Sequence, residues 1–193
     1  MTETDIEILL YDGFDELDAV GPYEVFASAS EQADLSVSLV TLDPRERVTA
    51  SHGLRVEPDG TLGEPDILVV PGGGWNDRDT PGAWTAAEQG EIPDAVARLH
   101  DAGATVASVC TGGMLLARAG VLDGRPAVTH HSALEDLRAY DVALRDQRVV
   151  DDGDVITAGG VTAGLDLALH LLERLAGEAI ADDAARRMEY DRR

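Results

Sequence analysis

Cys110 is the only cysteine among 193 residues, and it stands in the pentapeptide SVCTG (Ser108–Gly112). An apolar run, ATVASV (Ala104–Val109), leads into it, and a helix-like run beginning near Thr111 leads out. A small-x-nucleophile-x-Gly sequence at such a junction is a nucleophile elbow, in which small neighbours permit a strained bend that lifts the reactive side chain clear of the sheet. The N-terminal end of the following helix favours the thiolate, the reactive form of cysteine. The backbone N–H of Thr111 is placed to stabilise developing negative charge, with a second donor offered by Gly73 or Gly74 in VVPGGG (Val69–Gly74). This is equipment for nucleophilic catalysis through sulfur. A free cysteine also serves as a small buried hydrophobe; the surrounding pattern favours the reactive reading.

Strand-like and helix-like runs alternate around these residues. IEILLY (Ile6–Tyr11), LSVSLVTL (Leu35–Leu42), DILVVPGGG (Asp66–Gly74), ATVASV and AVTHH (Ala127–His131) read as strands. DELDAVGPYEVFASASEQ (Asp15–Gln32) has helical spacing with an interruption at Gly21-Pro22, and a helical region ending near His100 is expected to break at Pro93. A hairpin is expected around His52-Gly53, and a hairpin or strand over RVVDDGDVITAGG (Arg148–Gly160). Helices are expected over Ser132–Tyr140, Val161–Gly177 and Glu178–Tyr190. The alternation predicts one α/β domain over 1–193, a mostly parallel sheet covered on both faces. Ligands bind such sheets at the carboxyl ends of the strands, where VVPGGG and SVCTGG both lie. Neither these glycines nor GGVTAG has the Gly-x-Gly-x-x-Gly spacing of a dinucleotide fingerprint, so no nucleotide cofactor is expected.

Charge narrows the partners. The chain has 37 acidic residues against 15 basic ones, a formal charge of −22, and every basic residue is arginine. The acids are spread along the whole chain, which argues against a disordered acidic tail. Such charge repels nucleic acid and anionic membranes. It fits a cytoplasm of very high salt, where the Debye length falls to ~3 Å at 1 M and self-repulsion is screened. No apolar run approaches the ~18 residues of a membrane span, and the acidic start MTETDIEILLYDG is unlike a signal peptide, so a cytoplasmic protein is expected. A single cysteine forms no internal disulfide, and no Cys-x-x-Cys or His-x-x-x-His pair suggests a metal site.

DELDAVGPYEVF, DILVVPGGG, SVCTGGMLLARAGVLDGRPAVTHH and ITAGGVTAGLDLALHLLERL together resemble the ThiJ/PfpI superfamily, relatives of the class I glutamine amidotransferases. The resemblance covers nearly the whole chain and implies a flavodoxin-like three-layer sandwich. It points to the branch of isonitrile hydratases and the sensor domains of AraC-type regulators. By resemblance, Cys110 is the nucleophile, Asp18 the carboxylate that contacts its sulfur, and Thr111 the residue after the nucleophile. His130 matches a histidine near the site and is a possible auxiliary group. Asp166, in the first turns of a late helix, has an ordinary electrostatic reason to be there. A homodimer is implied by the family habit of completing the pocket across an interface.

Departures narrow the activity. No histidine here is followed by x-Glu, as glutamine amidotransferases require; Thr111 replaces the histidine that follows the cysteine in PfpI-type peptidases; and His131 stands where isonitrile hydratases commonly carry an aromatic residue. The AraC-type regulators append a helix-turn-helix module, for which no room is expected before the end at MEYDRR. Three functions are therefore carried forward. One is a cysteine-dependent hydratase acting on a small isonitrile, R–NC. Another is a glyoxalase- or deglycase-like enzyme on small aldehydes using Cys110 and His130. The last is a thiol sensor or small-ligand-binding protein without turnover.

Overall fold

A seven-stranded sheet forms the middle of three layers in the computed structural model, which describes residues 3–192. In chain order the elements are β1 (Thr4–Leu9), α1 (Glu16–Ala33), β2 (Leu35–Thr41), β3 (Val48–Thr49), β4 (Arg55–Val56), β5 (Gly60–Thr61) and β6 (Ile67–Val70). Then follow α2 (Ala83–Gln89), α3 (Glu91–Asp101), β7 (Thr105–Val109), α4 (Gly112–Arg118) and β8 (Arg125–Ala127). A 3-10 turn (His131–Ala133), α5 (Leu134–Leu137), β9 (Val142–Leu144), β10 (Val149–Asp151), β11 (Val155–Ala158), α6 (Ala163–Ala176) and α7 (Glu178–Arg187) complete the fold. Strand order is β10-β11-β7-β6-β1-β2-β5, parallel throughout except for the β10–β11 hairpin. Helices α1, α6 and α7 pack together, as do α2, α3 and α4. The flavodoxin-like expectation is met.

Central strands explain the pattern of the sequence. All residues of β6 and β11 are buried, because helices cover both faces of a parallel sheet and leave no position for alternating polar side chains. Helix α1 begins where the Asp15 carboxylate accepts a hydrogen bond from the Leu17 N–H at 3.2 Å, and ends at Asp34 in the left-handed region. It runs unbroken through Pro22, so the expected interruption at Gly21-Pro22 is absent. Gly21 serves packing instead, as does Gly164 on the facing α6: a Cβ on Gly21 would lie 3.3 Å from Leu165, and one on Gly164 would lie 3.1 Å from Val109. Close approach of α1 and α6 seats the start of α1 beside the end of β7.

Two boundaries differ from expectation for local reasons. The break between α2 and α3 falls at Gly90 (φ +85°), not at Pro93, which occupies the first turn of α3 where its missing N–H costs nothing. The strand expected over AVTHH stops at Ala127. Beyond it, the Val128 N–H donates to the Thr157 side chain at 2.9 Å, and the His130 N–H to the Cys110 carbonyl. No described helix is long and apolar enough to cross a membrane.

The elbow depends on a backbone approach that only glycine allows. A Cβ at Gly112 would sit 2.1 Å from the Val70 carbonyl oxygen, whereas one at Gly60 would meet nothing within 4 Å. Gly112→Ala is expected to cost ~3 kcal/mol or more, a fall in Tm of roughly 6–12 °C for a domain of this size. Gly60→Ala is expected to leave Tm within about 2 °C. Thermal melts of the two variants check this, and equal melting would contradict it.

Candidate active site

Cys110 occupies the turn between β7 and α4 with φ +57°, a strained conformation for a residue with a side chain, and is 5% exposed. Strain of this kind costs ~1–3 kcal/mol and persists only where the surroundings over-determine it. Here they do. The Cys110 N–H donates to the Ala158 carbonyl at 3.1 Å, while its own carbonyl accepts from the Thr129 hydroxyl at 2.8 Å and the His130 N–H at 3.4 Å. Neighbouring strand ends thus clamp both sides of the bend.

Asp18 lies in the first turn of α1 and is fully buried. Its Oδ2 accepts from the Gly72 N–H at 2.9 Å; its buried Oδ1 has no hydrogen-bond partner among the described residues. Burial, with help from the Asp15 charge, raises its pKa from 3.8 to about 8, against the lowering pull of the Gly72 amide and the Cys110 thiol. The thiol is itself pushed far up, first by burial and then by the Asp18 charge; the Thr111 N–H and hydroxyl offset only part of this. The expected free thiolate is therefore corrected. Two interacting buried acids titrate as one system: ionising either makes ionising the other harder. At neutral pH Asp18 keeps its proton and is the acid of the pair.

The glycine loop after β6 divides its donors. The Gly72 N–H serves Asp18, and the Gly73 N–H donates to the Thr111 Oγ1 at 2.9 Å, so Gly73 is not a free oxyanion donor as expected. That bond occupies an acceptor site on the Thr111 hydroxyl and leaves its proton for the Cys110 sulfur, with which it interacts. The Gly74 N–H has no hydrogen-bond partner among the described residues. Gly74 borders a cleft of about 600 Å³ together with Asp12, Ser51, Asp77 and Thr80; Cys110 does not line it.

His130 stands beside the elbow, but its ring is turned toward Ser132. Nδ1 accepts from the Ser132 N–H at 3.3 Å and lies 2.8 Å from the Ser132 hydroxyl, which in turn accepts from the Asn76 amide at 2.9 Å. A backbone N–H can only donate, so Nδ1 is unprotonated and the neutral ring carries its proton on Nε2. Burial and the neighbouring His131 lower its pKa, which keeps it neutral.

Sequence reasoning missed two residues here. Tyr11, just beyond β1, donates its hydroxyl to the Pro71 carbonyl at 2.7 Å, and burial plus the charges of Asp18 and Cys110 raise its pKa well above 10. Glu16 holds the hairpin loop over the start of α1, accepting from the His52 N–H at 2.8 Å and pairing with its Nδ1 at 2.7 Å. Burial alone would raise the Glu16 pKa, but the His52 and backbone hydrogen bonds bring it down to about 2. Their signals were an aromatic at a strand end and an acid beside an N-cap, neither specific alone. Asp15, Glu16 and His52 place possible metal-ligand atoms within 4.8 Å of one another, yet these atoms already cap α1 and anchor the hairpin.

Asp166 exceeds its expected role of helix-terminus acid. Only 5% exposed, it is paired with Arg148 at 2.6 Å and accepts from the Tyr190 hydroxyl at 3.0 Å.

A sequence model of the DJ-1/PfpI family matches residues 4–174. The chain is 37% identical over 191 residues to an isonitrile hydratase of Pseudomonas putida, covering 96% of this chain and 78% of that protein. It is 33% identical over 184 residues to the HTH-type transcriptional regulator CdhR of Pseudomonas aeruginosa, covering 92% of this chain and 52% of the regulator. Its fold is similar to that of a ThiJ/PfpI family protein from Pseudomonas syringae, with a TM-score of 0.86, 30% identity, and coverage of 100% and 77% of the two chains.

The raised Asp18 pKa makes folding pH-dependent with a definite sign. Between about 4 and about 8 the folded state holds a proton that the unfolded chain has released, so stability falls as pH rises through that window. Asp18→Asn removes this contribution. The melting temperature of the variant, measured relative to wild type from pH 5 to pH 9, is expected to climb steadily and level off above pH 8. Parallel curves would show that Asp18 does not hold its proton.

Proposed function

The chain belongs to the DJ-1/PfpI family, and on that premise we propose that it is a cysteine-dependent hydratase converting a small isonitrile, R–NC, and water into an N-substituted formamide. The observation that carries this reading is a fully buried, proton-holding Asp18 beside the Cys110 thiol. The terminal carbon of an isonitrile requires both a nucleophile and a proton, and this pair supplies one of each. Transfer of the thiol proton to a solvent base leaves Cys110 as thiolate, stabilised by the Thr111 N–H and hydroxyl and by the Asp18 O–H. The sulfur attacks the terminal carbon while the Asp18 proton moves to that same carbon, giving the thioimidate R–N=CH–S. Water adds to the carbon with a proton passing to nitrogen. Collapse of this adduct expels the Cys110 sulfur, which takes up the hydroxyl proton, and releases R–NH–CHO; the proton first given to the base returns to Asp18, so both groups are restored. This is nucleophilic catalysis joined to general acid catalysis.

The aldehyde-directed alternative asks His130 to act as a base, and its Nδ1 is already engaged as an acceptor by Ser132. The sensor alternative draws support from the similarity to a transcriptional regulator over 92% of this chain. In that reading Asp18, by keeping its proton, hydrogen-bonds an oxidised sulfur. A homodimer is proposed for either activity: Leu17 and Val20 on α1 and Leu54 on the hairpin are each more than a third exposed, and Glu16 ties the two elements together. The proposed setting is a high-salt cytoplasm, on the ground of the −22 charge.

Turnover of an isonitrile panel, assayed in multimolar and in low salt, tests the reading. Wild type is expected to turn over at least one isonitrile, and to lose structure or self-associate at low salt. Cys110→Ser should abolish turnover. Asp18→Asn should still be alkylated at Cys110 while turnover falls ~100-fold or more. Full turnover by Cys110→Ser would refute the nucleophile. No turnover of any isonitrile, with selective peroxide oxidation of Cys110, would favour the sensor.

A further inference from the structure

A second cleft, of about 600 Å³, opens beside the elbow. Its polar wall holds Arg138, Arg145, Arg148 and His131, with Asp146 as the one carboxylate lining it. In a chain whose acids outnumber its arginines 37 to 15, this inverts the charge pattern of the rest of the molecule. The opposite wall is aliphatic, built by Val128, Leu134 and Leu144.

The three arginines differ in what they leave available. Arg148 is fixed by the buried Asp166, which accepts from its Nε at 2.7 Å, and most of its charge is matched there. Arg138 pairs only with Glu135 three residues before it; both side chains are more than half exposed, at 58% and 83%. Such a surface pair is worth ~0–1 kcal/mol, so a better-placed anion can draw the guanidinium away. The Arg145 side chain makes no ion pair or hydrogen bond among the described residues. It is the uncompensated cation of the cleft. A guanidinium fork matches a carboxylate in a bidentate fashion, and the aliphatic wall requires that the anion bring an apolar body with it.

We propose that this cleft binds a small organic carboxylate with a short aliphatic body, its head on Arg145 and Arg138 and its body against Leu134 and Leu144. The site stands independently of the reaction assigned to Cys110. It is nevertheless coupled to the elbow through shared walls: Thr129 lines the cleft and donates to the Cys110 carbonyl, and the His131 ring lies 4.1 Å from that of His130.

Isothermal titration at constant ionic strength, in salt that keeps the full chain folded, tests the assignment with butanoate as probe. Butanoate is expected to bind saturably, and its neutral isostere butanamide and inorganic phosphate at least ~10-fold more weakly, since each lacks one half of what the cleft offers. Arg145→Gln should weaken butanoate ~10-fold or more. Arg118→Gln, which alters an arginine paired with Glu88 elsewhere, should leave binding unchanged. Arg145 has no side-chain partner to lose, and circular dichroism confirms that the variant is folded. Absence of saturable butanoate binding, equal binding by Arg145→Gln, or equal binding of butanamide or phosphate would each overturn the proposal.

Discussion

The proton held by the buried Asp18 carboxyl beside the Cys110 thiol is the feature on which the remaining architecture depends. A carboxyl group transferred from water to a buried site resists ionisation, and a thiol in the same pocket resists it too. The Asp18 charge makes the thiol a weaker acid still, while the thiol itself pulls the Asp18 pKa down against the larger effect of burial. The fold counters this with very few donors: the Gly72 amide on the carboxyl, and the Thr111 amide and hydroxyl toward the sulfur. The result is an acid that keeps its proton at neutral pH beside a nucleophile that becomes reactive when its own proton leaves.

Holding that arrangement requires three loops to interlock with little tolerance. The Asp15 N–H donates to the Gly72 carbonyl at 2.7 Å, and a Cβ on Gly73 would fall 2.5 Å from the Asp15 nitrogen. The Gly13 N–H reaches the Thr49 carbonyl and the Ser51 N–H the Phe14 carbonyl, both at 2.8 Å, so the hairpin is fastened to the same point. The glycines of VVPGGG therefore serve backbone proximity. Gly112 does the same from the other side, under the Val70 carbonyl. The position of Asp18 relative to Cys110 is set by these backbone contacts more than by either side chain.

Much of this is legible in the sequence. The strand-to-helix junction at Cys110 followed from small residues around a lone thiol, and the parallel sheet from alternating strand and helix patterns. Asp18 was legible only through the resemblance of ELDAVGP to a family, because one acid among 37 carries no local mark of burial. The thiol's ionisation was misjudged, since helix-terminus charge is visible in a sequence while desolvation by distant elements is not. Likewise the use of the Gly73 amide by Thr111, and the turning of the His130 ring to Ser132, arise from contacts between segments far apart in the chain. The arginine cleft was invisible for the same reason: Arg138, Arg145 and Arg148 are unremarkable until β9 and β10 fold against the segment after β8.

The central claim is a statement about where a proton resides, and infrared difference spectroscopy reads it directly. The protonated-carboxyl C=O stretch of Asp18, isolated by comparison with Asp18→Asn and shifted by alkylation of Cys110, is expected to be present at neutral pH and to vanish with a midpoint near 8. Disappearance of that band at the pH of an ordinary solvated aspartate, near 4, would contradict the account.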